Sequence, residues 1–209
     1  MQTPPPGLDR LGRLDVILVR HARAVPPGSP GWEERDNDRP LTDQGLRNAA
    51  ELAIELEPYV LYAIYSSPYA RAMQTVEPIA RIRAMRVNVL NDLRERLLAP
   101  VLDPGWQEHV RRSWEDPDYA APGGETARAA QRRGIGMLDL LRARHPDGGA
   151  ILVGSHGNLI SLILQAFEPR IGLEFAEAMP MPAIYHIEHD GIGWRVLGGH
   201  GFVEIAAIN

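Results

Sequence analysis

Ala150-Ile151-Leu152-Val153-Gly154-Ser155-His156-Gly157-Asn158-Leu159 is the stretch that decides the fold. Its first four residues are apolar and partly β-branched, a short run without polar alternation, which is the pattern of a buried strand. Gly154-Ser155-His156-Gly157 breaks that run, and apolar residues resume over Leu159–Phe167 as a helix. A buried strand that turns directly into an apolar helix is one half of a strand–helix–strand unit.

Outward from there, the pattern repeats. Val16-Ile17-Leu18-Val19 predicts a strand that ends in Arg20-His21. Residues 22–41, rich in Pro and Gly, predict a loop. Thr42 is placed to cap a helix whose apolar positions Leu46, Ala49, Ala50, Ala53 and Leu56 fall at helical spacing, before Pro58 stops it. Leu61–Tyr65 predicts a second strand, broken at Ser66-Ser67, and Pro68 suits the first turn of a helix running to about Arg83. Val87–Leu90 predicts a third strand. Residues 97–124, which carry prolines and tryptophans, read as irregular and lid-like. Thr126–His145 predicts a long helix weakened by Gly134 and Gly136. Ala183–Glu188 and Trp194–Leu197 predict two closing strands joined at Asp190-Gly191. The expected architecture is α/β with a mainly parallel sheet: a flexible tail over 1–13, then a single domain over 14–209.

Composition narrows the function classes. Net charge is -5, from 22 basic and 27 acidic residues, which gives no general reason to expect nucleic acid or an anionic membrane as partner. All the basic residues are arginines, a bias that a GC-rich coding sequence explains more simply than function does. The chain has no cysteine, which excludes a thiol nucleophile, a disulfide framework and a thiolate metal site. No segment approaches the ~20 apolar residues needed to span a bilayer. The N-terminal residues carry no apolar run of the secretory kind. A cytoplasmic, soluble protein is expected.

The chemistry gathers at strand ends, where an open parallel sheet binds its ligands. The first strand ends in Arg20-His21, the second leads to Arg71 about one helical turn past Ser66-Ser67, and another ends in Ser155-His156. Taken singly, each residue is weak evidence. Together they suit phosphoryl transfer, which rests on positioning and fixed positive charge. Arginine meets phosphate oxygens with paired donors. A neutral imidazole is a nucleophile at neutral pH, and a second, protonated histidine can donate to a phosphoryl oxygen. Glu95, in Leu93-Arg94-Glu95-Arg96, has the chemistry of a general acid and lies in a strand-end loop.

At these residues the chain resembles the histidine phosphatase superfamily, the group of cofactor-dependent phosphoglycerate mutases and many small phosphatases. Six segments in order carry the resemblance, which covers about residues 14–190. They are Leu18-Val19-Arg20-His21-Ala22, Pro40-Leu41-Thr42-Asp43-Gln44-Gly45, and the run from Tyr65 through Arg71 to Thr75. Leu93-Arg94-Glu95, Gly123-Gly124-Glu125-Thr126 and Val153-Gly154-Ser155-His156-Gly157 complete the set. The resemblance implies a three-layer α/β/α fold with helices on both faces of the sheet. It implies that His21 takes the phosphoryl group, that Arg20, Arg71 and His156 hold its oxygens with a backbone donor from Gly157, and that Glu95 is the proton donor. No metal and no cofactor are implied.

Two departures stand out. Ala22 occupies the family's glycine position, and Arg23 stands where a small hydroxyl residue is common, in a loop that lacks the usual asparagine. Arg23 and Arg39 are candidate substrate contacts, each with a surface-charge reading beside it, and Arg111 is a third, with packing in a satellite cluster as its other reading. Trp106, His109, Arg112 and Trp114 either line a lid or pack a satellite cluster. Glu125 reads as an acid favoured by a helix N-terminus, and His145, His186, His189 and His200 as structural or solvated. The segment between Glu95 and Gly123 is shorter than the mutase insertion, which favours hydrolysis over phosphoryl return. The expected activity is a phosphoric monoester hydrolase acting on a small phosphorylated metabolite or a phosphoprotein, as monomer or homodimer. Alternatives are a protein phosphohistidine phosphatase, suggested by Arg39-Pro40-Leu41-Thr42, a mutase, and an idle phosphate-binding protein.

Overall fold

A computed structural model describes residues 12–31, 36–98 and 105–201. Residues 1–11 of the expected tail and the apolar Ile205–Ile208 lie outside the described residues, as do 99–104 within the lid-like segment. The elements are β1 (Leu14–Arg20), α1 (Asp43–Glu55), β2 (Leu61–Ser66), α2 (Ala70–Ile82), β3 (Val87–Val89), α3 (Trp106–Glu115), α4 (Ala127–Arg144), β4 (Gly149–Ser155), α5 (Gly157–Gln165), α6 (Leu173–Ala178), β5 (Ala183–His189) and β6 (Trp194–Gly199). Short 3-10 turns add Asp36–Asp38 and Asn91–Leu93.

The strands form one sheet in the order β3-β2-β4-β1-β5-β6. β1 through β4 run parallel, and β5 and β6 add an antiparallel edge. Side-chain alternation splits the core into two layers. Leu14, Val16 and Leu18 of β1 pack with Ile151 and Val153 of β4 against α4 and α5, through Met137, Leu138, Leu141, Leu159 and Ile163. Ile17, Val19 and Leu152 face the other way, onto Leu52 and Leu56 of the α1 region and Val76 and Ile79 of α2. Each such fully buried aliphatic side chain contributes about 1.5–3 kcal/mol of burial free energy. Helices thus cover both faces, giving the three-layer architecture.

Local signals act as their chemistry requires. The Thr42 hydroxyl accepts from the Gly45 N–H at 3.1 Å, and Thr126 accepts from Ala129 at 3.0 Å, so both threonines cap their helices. Three expectations need correction. α2 starts at Ala70 with Tyr69 as its cap residue, so Pro68 precedes the helix. The segment read as irregular contains α3, in which Arg111 bonds Glu108 and Glu115 on the exposed face while Ser113 is buried. Prolines on either side obscure those three turns in the sequence. Gly134 does more than weaken α4: a Cβ there would stand 2.5 Å from Ile163 Cγ1, so the glycine admits α5 at close range.

Candidate active site

Strand register assembles the site. Arg20 is level with Ser155, and Gly154 is level with both Val19 and Ser66. Just beyond the sheet, the His21 N–H donates to the Ser155 carbonyl (3.0 Å) and the Ser67 N–H to the Gly154 carbonyl (2.9 Å). Three chain segments therefore leave the same edge side by side. They bring the His21 and His156 rings to 5.2 Å between centroids.

Hydrogen bonds orient His21. Its Nδ1 lies 2.7 Å from the Ala22 carbonyl, an acceptor that assigns the proton to Nδ1 and leaves the lone pair on Nε2. Arg71 Nε–H donates to that lone pair at 3.2 Å. Burial, then Arg71, lowers the His21 pKa to about 3, so the ring is neutral at pH 7. Ala22 is wholly buried and packs with Leu41 and Ala49, which gives the methyl group at the family's glycine position a core role. Its N–H donates to Thr75 Oγ1, which in turn donates to the Arg71 carbonyl. The nucleophile candidate and the arginine candidate are thereby braced through one hydroxyl.

His156 is fully buried, T-stacked on Tyr69, with Nε2 2.8 Å from Ser67 Oγ. Burial, Arg71 and His21 push its pKa well below the ordinary value. The second histidine, expected from sequence to be protonated, is therefore neutral, because it is buried beside arginines. Its Nδ1 is buried without a partner among the described residues, as is Arg20 Nε. Arg20 extends beneath the start of α5 and donates to the Met179 carbonyl. A Cβ on Gly157 would stand 2.9 Å from Arg20 Nε, so only glycine admits the guanidinium there.

Glu95 accepts from the N–H groups of Asn158 (3.1 Å), Leu159 (3.0 Å) and Arg96 (2.9 Å). It satisfies donors that the first turn of α5 leaves open, a second task that the sequence did not reveal. Arg39 is buried, contrary to its surface-charge reading: Nε donates to Asp36 Oδ1 at 2.7 Å and Nη1 donates to the Val25 carbonyl. Asp36 also accepts from Arg71, through its carbonyl at 2.6 Å and through Oδ2 at 3.2 Å.

The remaining candidates lie apart from these contacts. Arg23 is exposed, and its carbonyl accepts from Thr42 N–H and Oγ1. Arg111 is committed to two carboxylates of its own helix. Arg112 stacks on Tyr119, which bonds His109 at 2.6 Å, and Trp114 packs against the core. Glu125 forms a two-point ion pair with Arg133. His145 bonds Tyr65 and His200 accepts from Ile184 N–H, as structural histidines do. Ser67, Tyr69 and Thr75 were missed although they lie inside the Tyr65–Thr75 motif. Asp36 was missed because its loop offered only composition. Among the described residues no group of three His, Asp or Glu is placed to hold a metal, and no helix is long and apolar enough to cross a membrane.

A sheet covered on both faces, with two neutral histidines and two arginines converging where three parallel strands end, defines an α/β protein with a buried cationic cluster at one sheet edge. The family model for the histidine phosphatase superfamily (branch 1) matches residues 16–199, and the chain belongs to that superfamily. It is 31% identical over 166 residues to a probable phosphoglycerate mutase of Proteus mirabilis, covering 72% of this chain and 73% of the relative. It is 29% identical over 149 residues to phosphoserine phosphatase 1 of Hydrogenobacter thermophilus, covering 67% and 70%. A phosphoglycerate mutase from Bacillus anthracis superposes with a TM-score of 0.73 over 94% of this chain and 97% of its own, at 16% identity, a likeness of fold.

Proposed function

We propose that this chain hydrolyses a small phosphomonoester through a phosphohistidine on His21, without a metal. The observation that carries the reading is the state of His21: neutral, proton on Nδ1, with Nε2 facing the Arg71 guanidinium. Nε2 attacks phosphorus, the ester P–O bond breaks, and the leaving alkoxide takes a proton from Glu95. The imidazolium character of the intermediate is eased by the Ala22 carbonyl on Nδ1–H. Water then attacks phosphorus, giving its proton to Glu95, and Nε2 is released with inorganic phosphate. Arg20, Arg71, His156 and the Gly157 N–H hold the phosphoryl oxygens. The shortness of the segment after Glu95 supports hydrolysis over the mutase reading. Among small esters, phosphoserine is the first to assay, since a relative is named for it.

His21→Ala tests this. Hydrolysis of p-nitrophenyl phosphate should fall by at least about 10³-fold with the fold intact, and the acid-labile phosphoenzyme trapped from the wild type should disappear. Undiminished turnover would remove His21 from the role.

A further inference from the structure

The Nε and Nη2 donors of an arginine share one edge of the guanidinium plane, the edge that meets two oxygens of a phosphate. In Arg71 the Nε end of that edge faces His21 Nε2, while Nη2 at its other end donates to Asp36 Oδ2. The other oxygen of the same carboxylate takes the Nε–H of Arg39, and the Asp36 carbonyl takes Arg71 Nη1. Asp36 thus spans two arginines with two oxygens, as a phosphoryl group would. A phosphoryl group on His21 Nε2 would have to share the Arg71 guanidinium with that carboxylate. We propose that Asp36 is an internal competitor for the phosphate dianion. Its carboxylate yields Arg71 Nη2 and Arg39 Nε when phosphate binds, while the backbone bond from Arg71 Nη1 is kept. This rests on the reading of the cluster as a phosphate site, and it assigns Asp36 control of how tightly that site holds phosphate.

Three facts support exchange over simple bracing. Burial alone would raise the Asp36 pKa, yet Arg71 and Arg39 together hold it below the ordinary value, so Asp36 is an anion at neutral pH. Two anions on one guanidinium edge repel each other, and in a partly buried site that repulsion is weakly screened. Without a counter-ion Arg39 and Arg71 would also be unneutralised like charges, a cost Asp36 relieves and a dianion relieves better.

The test is calorimetric titration of inorganic phosphate into wild type, Asp36→Asn and Asp36→Ala, with the unfolding midpoint of each ligand-free protein. Asp36→Asn keeps the shape and one acceptor oxygen while removing the charge. Phosphate should bind about tenfold more tightly to Asp36→Asn, the scale of one charged hydrogen bond, while the ligand-free midpoint falls. Unchanged or weaker phosphate binding in a folded Asp36→Asn protein overturns the proposal and makes Asp36 a mere brace. If Asp36→Ala does not fold, Asp36→Asn alone decides. Absence of phosphate binding in every variant overturns both this proposal and the functional reading. Binding by wild type with no gain in Asp36→Asn overturns only the role of Asp36.

Discussion

The strand-end cluster, the floor, and the exposed face of α3, the rim, use the same residue types in opposite ways. On the floor, arginine and histidine are buried and bonded across long stretches of sequence: Arg71 to His21 and Asp36, Glu95 to α5, His156 to Ser67. On the rim, charges pair with neighbours on their own helix, as Arg111 does with Glu108 and Glu115. A side chain held by several distant elements has one geometry, whereas an exposed pair three or four residues apart exchanges easily with water. The floor is therefore held in one geometry, and the charges of the rim are not.

The sharpest way to break that contrast is Glu95→Gln, because Glu95 has both a chemical and a structural task. Turnover of alkyl phosphates should fall by about 10²–10⁴-fold. That of p-nitrophenyl phosphate should fall far less, since its leaving group needs no proton. Loss of a cap costs about 1 kcal/mol whatever the substrate. Equal slowing of both substrates would leave Glu95 only its capping task.

A second measure compares stability with pH. His21 has a folded pKa of about 3 against an ordinary 6.5, so below 6.5 the unfolded chain takes up a proton that the folded chain refuses. Stability present above 6.5 is therefore lost as pH falls towards 3, at up to about 1.4 kcal/mol per pH unit for each such group. His156 acts in the same direction. Urea unfolding between about pH 6 and 4 should show a shallower slope in His21→Ala than in wild type. Equal slopes would mean that His21 titrates like an ordinary solvated histidine.

The smallest effect is expected at the rim. Arg111→Ala should change KM by less than about twofold and leave the unfolding midpoint in place, as for other exposed ion pairs. A large rise in KM would show that substrate draws Arg111 away from its glutamates, bringing the rim into recognition.

Much of this was legible in the chain. The run Ala150–Val153, its Gly-Ser-His-Gly turn and the apolar helix beyond fixed an α/β fold, because strand and helix periods and glycine turns are local properties. The gathering of Arg20, His21, Arg71, Glu95 and His156 at one edge was legible because strand ends in a parallel sheet share that edge. α3 was not, since flanking prolines masked three turns of helix. Burial of Arg39, the neutrality of His156, the capping bonds of Glu95 and the clasp of Asp36 on Arg71 were decided only by tertiary structure. Each depends on which distant groups meet in a space that excludes water, and charge, protonation and hydrogen bonding answer to that surrounding rather than to neighbours in sequence.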